Sequence, residues 1–173
     1  LLRASMTKAQ KQIICMKDEL DTVRAYLDIQ KVRMGERLSY TLSIDDELIT
    51  EKCAPFVIQP LVENAILHGL EPSIEGGVLN ITVSSDDTHI LVFIQNVGGV
   101  VINQVPSSHS SDNFNKKVKG NGIAMENIRQ RMALLYGDEA SLTLQKEVNQ
   151  DEKLLTCNVH LKWPLKSEIS GLL

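Results

Sequence analysis

The sequence predicts an α+β fold, with a long helix leading into a domain of mixed strands and helices. Three observations point there. The opening segment carries a helical hydrophobic spacing, short period-2 segments recur downstream in pairs around polar turns, and two further helical stretches separate those pairs. At 173 residues the chain is long enough for one compact domain and an extra helical element.

Taken in order, Gln10 to Met34 reads as a helix. Ile13, Met16, Leu20, Val23, Leu27, Gln30 and Met34 follow a 3-4-3-4 spacing, with Gln30 the one polar position. Such a seam serves either a helix packed on its own domain or one strand of a dimeric bundle, and the bundle is the preferred expectation. Gly35 ends the helix. Leu38, Tyr40, Leu42 and Ile44 mark a strand that stops at Asp45-Asp46. Pro55 suits a helix start, and the apolar run through His68 is expected to end at Gly69. Val78 to Ser84 and Ile90 to Gln95 form a strand pair around Asp86-Asp87. Ser141 to Glu147 and Leu154 to Trp163 form another around Asn149-Gln150-Asp151. A helix from about Gly122 to Tyr136, closed by Gly137, lies between the pairs. Val101 to Lys119 is polar and long for a loop in a compact domain, so a functional lid is expected there. No internal repeat is present.

Composition narrows the function. Lys and Arg number 18 against 22 Asp and Glu, a net charge of −4 with no basic stripe, which argues against nucleic acid as the main partner. Seven aromatic residues are too few for a base-stacking platform. Cys15, Cys53 and Cys157 are odd in number and form no Cys-x-x-Cys pair, so neither a zinc ribbon nor a disulfide framework is indicated and a reducing compartment is expected. No apolar run approaches the roughly 20 residues of a membrane span. The chain opens at Leu1 without a signal-like segment and reads as an internal piece of something longer.

Three short motifs carry chemistry. In Leu61-Val62-Glu63-Asn64-Ala65-Ile66-Leu67-His68-Gly69, Asn64 and His68 are one turn apart on a face of a mostly apolar helix. Asn64 is either a core amide bonded within the fold or a hard oxygen ligand for Mg²⁺. Gln95-Asn96-Val97-Gly98-Gly99 ends a strand, where adjacent glycines allow a tight turn or a close backbone approach to a ligand. Lys119-Gly120-Asn121-Gly122-Ile123 precedes a helix, where backbone N–H groups can hold phosphate. It is neither a Walker loop nor a dinucleotide fingerprint, since no Gly-Lys-Ser/Thr follows and Met125 stands where a third glycine would be.

In this order the motifs resemble the ATP-binding domain of gyrase-type ATPases and sensor histidine kinases, and more closely the LytS-type sensor kinases. Gln59 to Gly69 is similar to the family's N box. Tyr26 to Arg33 with Glu36-Arg37-Leu38 resembles its lead-in helix. Gly120-Asn121-Gly122-Ile123 with Glu126 to Arg131 and Leu135-Tyr136-Gly137 resembles its G2 box and the helix that follows.

The resemblance implies a two-layer α/β sandwich of the Bergerat type, with residues 1–36 the second helix of the dimerisation and phosphotransfer bundle, 37–166 the catalytic domain and 101–119 the ATP lid. It implies ATP and Mg²⁺ as ligands and Asn64 as the metal ligand. Glu63 is either an aid to the metal's water shell or the partner of a neighbouring cation; on a helix it points about 100° away from Asn64. His68 would lie beside the adenosine, and Lys119, Gly120, Asn121, Gly122 and Ile123 along the phosphates. The adenine acceptor is Asn96 with Gly98, or Gln95 with Gly99 after a one-residue shift. The family has an Asp there, and an amide is the weaker acceptor. Leu67 stands where relatives carry a Lys, and Lys153-Leu154-Leu155-Thr156 replaces a late glycine-rich box. The phosphoacceptor His is expected upstream of Leu1, since His68, His89, His109 and His160 lack its sequence context. Implied partners are a second copy through the bundle and a response regulator. The implied place is the cytoplasmic side of a bacterial inner-membrane sensor. The other class of function consistent with these departures is a degenerate signalling module without phosphotransfer.

Overall fold

A computed structural model describes residues 13–99, 121–149 and 154–165. The expected lid at 101–119, together with Lys119 and Gly120, lies outside the described residues, as does the start of the chain through Gln12.

The lead-in helix α1 spans Met16–Met34, with Asp18 and Glu19 in its first turn and Lys31 and Arg33 in its last, charges that complement the helix dipole. It starts later than the hydrophobic spacing suggests. Ile14–Cys15 forms an extended rung, β1, paired antiparallel with Lys52–Cys53, β3. The Met16 and Lys17 N–H groups donate to the carbonyls of Glu51 and Ile49, so the β3 region supplies the acceptors that a helix start lacks.

The seam is not left open for a second helix. Met16, Leu20, Val23, Leu27, Gln30 and Met34 are all buried within this one chain, in the same core as the sheet. Over the described residues this face of α1 packs on its own domain. Gly35, at φ 61°, then turns the chain, and Lys31 Nζ donates to the carbonyls of Gly35 (3.0 Å) and Leu38 (2.7 Å).

Five strands form one mixed sheet. Their order is β2 (Leu38–Ile44), β4 (Gly77–Ser85), β5 (His89–Gly99), β7 (Leu154–Pro164), β6 (Ser141–Asn149). Only the β2–β4 pair is parallel, and the crossover it requires carries the second helix. Alternation along each strand sends Leu79, Ile81, Val83, Ile90, Val92, Ile94, Val159, Leu161 and Trp163 into the core beneath the helices. The opposite face carries a polar row along the middle of the strands. There Thr41 Oγ1, Asn80, Gln95 and Asn158 form a hydrogen-bonded ladder across four strands, at 2.9, 3.3 and 3.0 Å. The α+β expectation therefore holds as a two-layer arrangement of helices on one sheet face.

The second helix, α2, departs from expectation at both ends. It begins at Gln59 rather than Pro55, with Pro60 in its first turn. Residues 55–58 form a turn in which Phe56 takes φ 56°, a left-handed conformation costly for a non-glycine residue. No side chain near Gln59 caps the helix. Glu19 of α1 does so from a distance. Its Oε2 accepts from Phe56 N–H (2.8 Å), and its Oε1 from the N–H groups of Val57, Ile58 and Gln59 (3.0, 2.9 and 3.2 Å).

At the other end Gly69 does not stop α2. The segment Gln59–Asn64 runs on into a wider π turn, Ala65–Leu70, closed by Glu71 N–H on the Ile66 carbonyl at 2.8 Å. The chain then reverses through Gly76, at φ 71°.

The third helix, α3 (Asn121–Tyr136), and the β6–β7 hairpin complete the domain. Tyr136 stacks on the buried Trp163 with ring centroids 6.2 Å apart, and its hydroxyl accepts from Ala54 N–H at 3.2 Å. At the β4–β5 turn, the exposed Asp86 accepts from the N–H groups of Thr88 and His89, which hold its carboxyl down at about 2. Among the described residues no helix is long and apolar enough to cross a membrane.

Two outcomes follow from this packing. A Cβ on Gly76 would stand 1.9 Å from the Arg37 carbonyl oxygen at a φ that side chains avoid. Gly76→Ala should therefore lower stability by about 2–4 kcal/mol in urea titration, with an unchanged slope. The fully buried Cys53 thiol is pushed up to about 12, mainly by burial and then by the charge of Glu19. At pH 8 iodoacetamide should modify the half-buried Cys15 and spare Cys53 until the chain unfolds, as read by peptide mass mapping.

Candidate functional site

Between the helical layer and the sheet lies an open cleft of about 500 Å³. α2 contributes Leu61, Asn64, Ala65, His68 and Gly69; β5 contributes Asn96; α3 contributes Met125. The β6–β7 hairpin closes the far side with Leu144, Lys146, Leu155, Cys157 and Val159. The walls are mostly apolar, with four polar side chains: Asn64, His68, Asn96 and Lys146. This is the composition of a small-molecule site, where apolar walls bury a ring and a few polar groups orient it. No carboxylate is among the described lining residues, and their one permanent cation is Lys146.

The sheet decides which residue of the β5 end faces this cleft. Asn96 pairs with Leu79 on one side and Cys157 on the other, on the inward phase of the strand, and is 3% exposed. Gln95 points to the opposite face, within the ladder between Asn80 and Asn158. Asn96, not Gln95, is therefore the β5 amide available to a bound molecule. A Cβ on Gly69 would lie 2.3 Å from Asn96 Nδ2, so the glycine is what lets the amide sit against α2.

The Nδ2 atoms of Asn64 and Asn96 are both buried without a hydrogen-bond partner. A buried unpaired donor costs on the order of 1–3 kcal/mol, a cost that a ligand acceptor would remove.

Other predicted residues fall elsewhere. Glu63 is outside the cleft lining, and its carboxylate accepts from the Gln59 amide one turn earlier at 2.8 Å. The glycines Gly98 and Gly99 do not form a turn; they are the last rungs of β5, opposite Leu155 and Leu154. A Cβ on Gly98 would meet the carbonyl oxygens of Gly76 (3.1 Å) and Gly69 (3.2 Å), so Gly98 admits the end of α2 to the sheet. Asn121, Gly122 and Ile123 occupy the first turn of α3, where backbone N–H groups lack intrahelical acceptors. Leu67 is 44% exposed and outside the lining.

Sequence reasoning missed Lys146 and Cys157. Both are set by the register of β6 and β7, in which Lys146 lies opposite Cys157 and Cys157 opposite Asn96. Burial raises the Cys157 thiol, and the Lys146 charge partly offsets it.

A metal would find few protein ligands here. Among the described residues no group of three or more His, Cys, Asp or Glu is placed to hold one. A divalent ion in this cleft would be held by the ligand's own oxygens and by Asn64, the chemistry of Mg²⁺ on a polyphosphate.

Comparison with known proteins agrees with this arrangement. The histidine kinase family model matches residues 1–38. The sensor protein LytS of Oceanobacillus iheyensis is 33% identical over 145 residues, 83% of this chain and 25% of that protein. The sensor histidine kinase YesM of Bacillus subtilis is 30% identical over 155 residues, 90% of this chain and 25% of that protein. The chain thus spans about a quarter of the length of these relatives. Among solved structures, the nucleotide-free catalytic domain of the histidine kinase ThkA matches with a TM-score of 0.56 at 15% identity, covering 89% of this chain and 96% of that domain. ThkA in complex with its response regulator TrrA matches with a TM-score of 0.56 at 14% identity, covering 90% of this chain and 42% of that one. The chain thus has the fold of histidine kinase catalytic domains and is similar in sequence to LytS-type sensor proteins over most of its own length.

Proposed function

We propose that this chain is the ATP-binding catalytic portion of a two-component sensor histidine kinase. The observation that carries the reading is the convergence of Asn64 and His68 from α2 with Asn96 from β5 in one mostly apolar cleft. The apolar walls from α2, α3 and β7 bury the base, and Asn96 hydrogen-bonds its edge. His68, exposed at the mouth, lies beside the sugar. Asn64 offers its oxygen to Mg²⁺, which neutralises charge on the phosphates when bound. Asn121, Gly122 and Ile123, with Lys119 and Gly120 before them, approach the phosphates.

In the reaction, an imidazole nitrogen of the acceptor His attacks the γ-phosphorus. A P–N bond forms, the bond to the β–γ bridging oxygen breaks, and ADP leaves with that electron pair. The chain's own contribution is positioning and water exclusion, since phosphoryl transfer asks little covalent chemistry of a protein. His89 lies at the β4–β5 turn and His160 packs at a tilt against Phe93 on the outer sheet face; both are outside the cleft lining, and His109 lies outside the described residues. The acceptor is a His upstream of this chain, from which a response regulator takes the phosphoryl group. The domain works on the cytoplasmic side of a membrane-bound sensor.

A second reading, a nucleotide-binding signalling module without transfer, is favoured by one feature. Asn96 places a neutral amide where a carboxylate would grip the adenine amino group about twice as strongly.

Two experiments separate these. In calorimetry, Asn64→Ala should lose about tenfold or more of the magnesium-dependent affinity for ATP, and an unchanged affinity refutes the metal assignment. The present chain with γ-labelled ATP should remain unlabelled on His, while a form extended upstream through the acceptor His should become labelled. An extended form that binds ATP and stays unlabelled selects the signalling module.

A further inference from the structure

α2 carries Asn64 and His68, yet its own sequence supplies no N-terminal cap: Ile58 stands at the cap position without a side-chain hydrogen bond. The cap comes from Glu19, about 40 residues earlier, 2% exposed, its carboxylate spent on four consecutive backbone N–H groups from Phe56 to Gln59. A local Ser, Thr or Asn would cap the helix without burying a charge. The remote carboxylate does something a local cap cannot: it makes the seat of α2 depend on the position of α1.

A second grip acts on the same turn. The residues entering α1, Ile14 and Cys15, pair with Lys52 and Cys53, immediately before the turn that starts α2. That turn holds Phe56 in a left-handed conformation, with its N–H given to Glu19. The segment is strained, and α1 holds it in place from two sides.

Asn64 lies five residues into α2, about 7.5 Å along a rigid rod from Gln59. The far end of the rod is fixed against the sheet, where Gly69 touches Asn96 and Gly98. Moving the capped end therefore tilts or slides Asn64 relative to Asn96 rather than carrying both together.

We propose that Glu19 is a positioning residue for the nucleotide cleft, through which the chain entering α1 sets the place of Asn64. Displacement of α1 releases the four N–H groups, lets the 55–58 turn relax and draws Asn64 off the metal. The inference rests on the reading of Asn64 as the protein's Mg²⁺ ligand.

The test measures affinity for ATP with Mg²⁺ and with chelator, in wild type, Glu19→Gln, Asn64→Ala and the double variant, each first shown folded by circular dichroism. Glu19→Gln keeps the length and one acceptor oxygen but loses the charge. It should lose about tenfold of the magnesium-dependent affinity and leave the metal-free affinity within about twofold. The double variant should lose little more than Asn64→Ala alone, because both changes remove the same contact. A merely structural role would weaken both affinities alike, or neither. A folded Glu19→Gln with unchanged magnesium dependence, or additive losses, overturns the proposal while leaving the Asn64 assignment intact. An unaffected Asn64→Ala overturns that assignment and this inference with it. Should Glu19→Gln fail to fold, Glu19→Asp, which keeps the charge and retracts it by one methylene, is judged by the same two affinities.

Discussion

The buried carboxylate of Glu19 is the constraint on which the arrangement of this domain turns. Four N–H groups converge on two oxygens, and the positive end of the α2 dipole lies behind them. Each hydrogen bond to an ionised group is stronger than a neutral one, and together they offset the cost of burying the charge. The consequence is geometric. α1 cannot shift along its axis without uncapping α2, and α2 cannot shift without disturbing the cleft it lines.

The other end of α2 is fixed by the opposite device, the absence of side chains. Gly69, Gly76, Gly77 and Gly98 all stand where a Cβ would come within about 3 Å of a neighbouring atom. Helix end, reversing turn and two strands are thus pressed together at backbone distance. The π turn at Ala65–Leu70 belongs to the same fitting: one extra residue in the turn widens the helix where Gly69 meets Asn96. Remote anion at one end and glycine contacts at the other leave Asn64 and His68 on a span held at both ends.

The cleft that results is apolar and free of carboxylates among its described lining residues, with Lys146 on the hairpin side. That charge pattern suits an anionic ligand with an apolar ring.

Much of this was legible in the residues. The strand alternation from Leu38 to Ile44, the two hairpins, and Asn64 and His68 sharing one helical face all follow from local periodicity, which the chain keeps. The resemblance carried by Gln59 to Gly69 pointed to the family. What local pattern could not decide was the partner of each surface. The α1 seam reads identically whether a second helix or its own sheet covers it, and here the domain covers it. Pro55 looked like a helix start because proline suits a first turn, whereas that place is taken by Pro60 and the cap lies on another helix. Gly98 and Gly99 looked like a turn because glycine permits one, whereas the sheet uses Gly98 for close approach. The choice of Asn96 over Gln95, and the arrival of Lys146 and Cys157 at the same cleft, depend on register between strands distant in sequence. A single sequence encodes the period of each strand, but only pairing fixes which phases meet, because the hydrogen-bonded ladder and the buried face must be satisfied together.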